Sequence, residues 1–137
     1  MIKIDNVNHK ATWLQGLEQS ADILNGEGSG RLQGSGKMYL EYVGTFINHK
    51  GTLRRDSNCT DAEWNALFLT LINPKNDHTV SFPFGVNQTL TQKVYISQVV
   101  RSLKYMKDTN TWEKTIDVSF VAQDPAWTPN GTIKGLI

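Results

Sequence analysis

The sequence predicts a mainly β protein of the α+β type: an antiparallel β-sandwich or barrel-like sheet with one amphipathic helix at about residues 60–73. Three observations point there. Thr, Asn, Ser and Gly are abundant, which favours strands and turns over helices. Several segments alternate apolar and polar residues with the period of a half-buried strand. One segment carries helical spacing between a start and a stop signal, and a helix set among non-parallel strands argues against an alternating α/β fold. With 137 residues the chain is long enough to bury a core without staples. It is expected to form a single β-rich domain over residues 1–125, followed by a loosely attached tail over 126–137, where Pro129 and Gly131 interrupt any pattern.

Ile2 and Ile4 alternate with Lys3 and Asp5 as a short first strand. Residues 9–24 hold Trp13, Leu14, Leu17, Ile23 and Leu24 with no clean period, so a helical turn and irregular structure are equally compatible. Residues 25–36 contain five glycines in twelve positions and predict a mobile or turn-rich loop. Residues 37–47 read as a strand, 48–51 as a turn built on Asn48 and Gly51, and 51–58 as the returning partner strand.

The helix signal is the sharpest local pattern. Thr60-Asp61-Ala62-Glu63 is a capping box, in which the Thr60 hydroxyl accepts from the Glu63 N–H while the Glu63 carboxylate reaches back. Cys59 and Trp64 stand where a hydrophobic staple belongs. Trp64, Leu67, Phe68 and Leu71 form one apolar stripe, and Asn73-Pro74 stops the helix. Beyond it, residues 78–84 and 92–100 read as strands, with Pro83 marking an edge or strand end. Residues 101–107 and 112–121 read as a hairpin across Asp108-Thr109-Asn110, its second arm alternating Trp112, Ile116, Val118 and Phe120 with polar residues.

A formal net charge of +1 leaves no electrostatic footprint for nucleic acid or an anionic membrane. Arg54-Arg55 and the lysines at 104 and 107 read as solvated strand surface. A single cysteine, Cys59, excludes an intramolecular disulfide. The first residues show no signal-peptide core, and the longest apolar run, 66–72, is too short to span a bilayer. The acceptor patterns at Asn58, Asn87 and Asn130 read as chance matches in an Asn- and Thr-rich chain.

Chemistry-bearing motifs fail on detail. Gly36-Lys37 is followed by Met38 and not by Ser or Thr, and no Gly-x-Gly-x-x-Gly occurs in the glycine loop. Asp56, Asn58 and Thr60 imitate the start of a calcium loop, but the sixth position is Asp61 and the twelfth Leu67, where Gly and Glu are needed. His9, His49, His78 and Cys59 lack metal-ligand spacing, so neither a metal nor any other cofactor is expected. A Cys59–His pair meeting only in space is the one nucleophile arrangement left open, against the reading of Cys59 as a staple. Trp64 and Trp112 fall on inward registers. Trp13 and Trp127 fall in irregular segments and are the tryptophans free for interface contacts or for stacking on a sugar ring.

The order of short motifs is also informative. A short N-terminal strand leads to Gly30-Arg31, with Gly34, Gly36 and Met38 after it. Then come Cys59-Thr60-x-x-Glu63-Trp64, a helix end at Pro74, His78-Thr79-Val80, Tyr95-Ile96-Ser97 and a closing strand from Trp112 to Phe120. This arrangement resembles small tail proteins of phages and prophages of Gram-positive bacteria, tail-tube-like or distal-tail-like, over residues 2–125. The loop before Gly30-Arg31 is longer here by residues 25–29. The resemblance implies a non-enzymatic virion component that assembles with copies of itself, as a homo-oligomeric ring, or with other tail proteins. It implies residence in the virion tail after assembly in the host cytoplasm, with no nucleic-acid or membrane partner. It carries Gly30 and Arg31 over as candidate subunit contacts, beside Trp13 and Trp127. The competing expectations are a carbohydrate-binding module using exposed tryptophans and, third, a small hydrolase using His and Asp in a cleft.

Overall fold

The computed structural model describes residues 1–25, 30–31, 34, 36, 38–39, 42–106, 110–129 and 131–137. The chain runs through β1 (Ile2–Ile4), β2 (Val7–His9), β3 (Ala11–Trp13), β4 (Glu18–Asn25), β5 (Gly30–Arg31), β6 (Met38–Tyr39) and β7 (Tyr42–Arg55). It continues through α1 (Asp61–Ile72), β8 (His78–Pro83), β9 (Thr89–Val100), β10 (Leu103–Met106), β11 (Asn110–Trp112) and β12 (Thr115–Ala122).

The main sheet has eight strands in the order β2-β1-β8-β9-β12-β7-β3, with β4 also paired to β7, and its pairings are antiparallel. β1 and β3 touch, so the sheet curls into a nearly closed barrel. This is the expected mainly β, barrel-like fold with one helix. β1 and β2 are joined by a two-residue turn in which Asp5 (φ 51°) and Asn6 (φ 66°) are both left-handed, the turn that matches strand twist.

β7 is the spine of the sheet. Its residues 49–54 pair with β12, 53–55 with β3 and 42–50 with β4. This corrects three local expectations. Residues 9–24 hold the end of β2, all of β3 and most of β4, with a turn at 14–17 between β3 and β4, and no helical turn. No turn forms at 48–51, and no partner strand returns over 51–58, because β7 runs straight through to Arg55. Asn48 serves strand neighbours instead: its Nδ2 donates to Asp22 Oδ2 at 2.8 Å and its Oδ1 accepts from the Ala122 N–H at 2.8 Å. Gly51 gives Leu17 and Trp13 room to pack, since a Cβ there would lie 2.8 Å from Leu17 Cδ1 and 3.3 Å from the Trp13 ring.

The helix forms where its caps place it. Thr60 is the N-cap; the Glu63 N–H donates to Thr60 Oγ1 at 3.2 Å and the Thr60 N–H to Glu63 Oε1 at 3.1 Å. Asn73 ends it in an extended conformation ahead of Pro74. Trp64, Leu67 and Leu71 are buried, and with Cys59 they join Ile4, Leu53, Val80, Phe82, Val94, Ile116 and Phe120 in the main core cluster. Phe68, the remaining residue of the stripe, packs against that cluster partly buried.

The hairpin arm β10 pairs with β11 from Leu103↔Trp112 to Met106↔Asn110. β12 then leaves it to pair with both β9 and β7, with a bulge between Ser119 and Phe120. The expected hairpin turn at 108–110 lies partly, and the glycine-rich loop over 25–36 mostly, outside the described residues.

The segment 126–137 is not loosely attached. The Ala126 N–H donates to Thr45 O at 2.9 Å, the Thr45 N–H to Trp127 O at 2.8 Å, and Thr89 and Ile137 exchange both backbone bonds at 2.9 Å. Ala126 is buried with Ile47 and Leu90 in a second cluster against Phe84 and Ile133. Unpaired backbone along β7 and β9 gives the tail partners that its proline and glycines conceal in the sequence.

Candidate functional site

The residues with catalytic potential are absorbed into structure. Asp5 sits on the β1–β2 turn and reaches β8: its Oδ1 accepts from the Thr79 N–H at 2.8 Å, and its Oδ2 lies 2.9 Å from His78 Nδ1 and 3.6 Å from Lys75 Nζ. Burial alone would raise the Asp5 carboxyl, but the Thr79 N–H, His78 and Lys75 together hold it below the usual carboxylate value. The other His78 nitrogen, Nε2, faces the Asn73 carbonyl at the helix C-cap at 3.1 Å. His78 therefore ties the end of α1, the start of β8 and the β1–β2 turn together, and both ring nitrogens are occupied. Cys59 is buried, with Sγ 3.6 Å from Thr60 O, and burial pushes its thiol up. Among the described residues, Cys59 thus meets the Thr60 carbonyl, and His78 meets Asp5 and the Asn73 carbonyl. No group of three or more His, Cys, Asp or Glu among the described residues is placed to hold a metal ion. No helix among them is long and apolar enough to cross a membrane.

The surface offers a more distinctive feature, an arm made of β4 and the first half of β7. It extends past the last β12–β7 rung, Phe120↔His49, out to Asn25↔Tyr42. β4 has eight residues and, among the described residues, pairs on one side only, and its residues 18–24 are all exposed. Such an edge presents a row of unpaired backbone groups on one side and side chains on both faces. The register Ile23↔Thr45 and Leu24↔Gly44 puts Ile23 and Leu24 on opposite faces, and Tyr42 and Val43 follow on the facing strand. Ile23 is 60 % exposed, and Leu24, Tyr42, Val43 and Trp127 are each about half exposed. Trp127, Ile23, Tyr42 and Thr128 surround a shallow hollow of about 270 Å³. The close approach of the tail fixes this corner: a Cβ on Gly44 would lie 2.8 Å from both Pro125 Cβ and Trp127 O.

The four sequence-predicted contact residues do not form one group. Gly30 and Arg31 pair through the backbone with Tyr39 and Met38, and the Arg31 side chain lies outside what the structure describes. Trp127 borders the arm, its Nε1 donating to Gly131 O at 3.0 Å. Trp13 is partly buried and packs against the main core: its ring lies 6.2 Å from Phe82 and 5.9 Å edge-on from Phe120. The irregular apolar spacing of residues 9–24 hid this, because β3 and β4 are interrupted and their inward registers do not run on continuously. Ile23, Leu24, Tyr42 and Val43 went unnoticed as surface residues, since β-forming apolar side chains read as core until the strand is known to lack a second partner.

Comparison with known proteins finds no protein-family model and no curated protein that matches the chain, so the arm and its apolar corner are the basis on which its role is argued.

Proposed function

We propose that the chain is a non-enzymatic structural component of a bacteriophage or prophage tail, in the tail tube, the distal tail or the tail tip, acting through protein–protein contacts. The observation that supports this is the β4–β7 arm. A half-paired strand exposed on both faces, with Ile23, Leu24, Tyr42 and Val43 in the open, is what a subunit carries when a neighbour completes its burial. The order of short motifs resembling small tail proteins supplies the kind of assembly. The test combines light scattering and negative-stain microscopy of the purified chain with mass spectrometry of the phage particles that encode it. Rings or tubes, lost in Ile23→Glu or Leu24→Glu, are expected. A strictly monomeric chain missing from the particles overturns the reading.

A carbohydrate-binding role rests on Trp127 and Tyr42, two half-exposed rings beside one hollow. Its test is glycan-array binding that disappears in Trp127→Ala; Trp13 has no part in it, being packed on Phe82 and Phe120.

A further inference from the structure

On the helix side of the barrel, away from the arm, a cleft of about 830 Å³ opens between α1, the ends of β3 and β7, and β11. Its lining carries four cations, Arg54, Arg55, Arg101 and Lys114, and two acids, Asp56 and Asp61. Arg55 is fully used: Nε and Nη2 donate to Cys59 O at 3.0 and 2.7 Å, and Nη1 meets Asp61 Oδ1 at 2.7 Å. Asp56 accepts from Thr12 Oγ1 at 2.7 Å. That leaves Arg54, Arg101 and Lys114 without an ion pair among the described residues.

Arg101 is the unusual member. Its guanidinium carbon lies over two aromatic rings, 3.8 Å from the centre of Phe68 and 4.2 Å from the centre of Trp112, so two aromatic walls hold the group. Its one hydrogen bond among the described residues is from Nη1 to Asn65 Oδ1, at 3.4 Å. Partial burial pushes its value below that of an ordinary arginine, a direction that an anion at its edge would reverse. The N–H groups at the edge of a guanidinium project as a fork suited to a carboxylate.

We propose that this cleft captures an acidic peptide segment of a partner protein, one carboxylate meeting the edge of Arg101 and neighbouring acids meeting Arg54 and Lys114. Leu14 and Trp112 supply apolar wall for the side chains between those acids. A nucleic-acid strand fits less well, because Asp56 and Asp61 line the same recess and the formal net charge of the chain is only +1. A bare phosphate would leave the apolar wall unused. The inference does not rest on the tail reading; it would hold for any partner bearing such a segment.

The test is selection of a random peptide library on the full chain, with the best-enriched peptide then measured by fluorescence anisotropy. The bound pool should be enriched in Asp and Glu, and affinity should fall as sodium chloride is raised. Arg54→Gln combined with Lys114→Gln, both at solvated positions, should weaken the peptide about tenfold and flatten its salt dependence. Arg101→Lys, which keeps the charge and loses the fork, should weaken it by about ten- to a hundredfold. Thermal melts of each variant separate lost binding from lost folding, and the Arg54/Lys114 pair keeps the test decisive if Arg101→Lys unfolds. The proposal is overturned by a pool without acidic enrichment, by equal binding of the Gln-for-Glu peptide, or by affinity unchanged in the Arg54/Lys114 pair. Displacement by equimolar inorganic phosphate, or tighter binding of a single-stranded octanucleotide, overturns it equally.

Discussion

His49 lies flat on Phe82, the two rings 3.8 Å apart between centroids with planes 1° from parallel. His49 is 1 % exposed; Gln19 Nε2 lies 2.9 Å from its Nε2, and its Nδ1 has no partner among the described residues. Burial pushes its value from 6.5 to about 4. Between those two values the unfolded chain binds the proton and the folded chain does not, so the stability this site contributes is complete above pH 6.5 and is lost as the pH falls to about 4. The whole change is about 3 kcal/mol. Urea unfolding at pH 7.5 and pH 4.5 should show most of that loss, with His9, also lowered by burial, adding in the same direction. His49→Phe, which keeps the stacked ring without the titration, should flatten the profile; an unchanged profile would show that other groups govern it.

The capping box joins the helix to the sheet beyond its own two bonds. Glu63 accepts the Thr60 N–H and also meets Lys10 at 3.0 Å, and these donors, the Thr60 N–H foremost, hold its carboxyl below the usual value. Thr60→Ala removes the acceptor for the Glu63 N–H and should cost about 1 kcal/mol in chemical denaturation. Thr60→Ser should restore nearly all of it, which separates a lost cap from lost methyl packing.

Trp13 distinguishes a core tryptophan from a surface one. Packed against Phe82 and Phe120, which themselves meet edge to face at 5.1 Å, it should cost roughly 3 kcal/mol when truncated to Ala. A surface tryptophan at that position would cost almost nothing, so the melting temperature of Trp13→Ala decides where the ring sits.

Gly135 locks the C-terminal segment to β9. Its φ is +76°, and a Cβ there would lie 2.0 Å from Thr91 O, the oxygen of the residue whose N–H donates to Gly135 O. Gly135→Ala should therefore cost more than about 1 kcal/mol and expose the backbone near Thr89 and Thr91 to hydrogen exchange. Intact stability in that variant would mean the tail contributes little to holding the barrel.

The helix was legible because its signals are local: Thr60, Glu63 and Asn73-Pro74 fix both ends within a few residues. The strands of residues 115–122 were legible for the same reason, as simple alternation. β7 was not, because Asn48 and Gly51 carry turn chemistry in sequence while serving as a cross-strand bridge and a packing gap in space. The arm was invisible to a pattern that scores apolar residues as core, and the cleft depends on Arg101, Phe68 and Trp112 arriving from three separate elements. Nothing in the spacing of those residues announces their meeting.

The barrel has a temporal consequence for the cell. β7 pairs with β12 across 65 positions, as between Thr52 and Asp117, and the β1–β2 turn reaches β8 across 73, as between Asp5 and His78. The arm needs only β4 and β7, which are nearer in sequence. During synthesis the arm can zip while β8, β9 and β12 are still unmade or inside the ribosome, and the core closes only after β12, the last strand of the main sheet, emerges. For that interval the newborn chain displays the exposed β4 edge before the core behind it has closed.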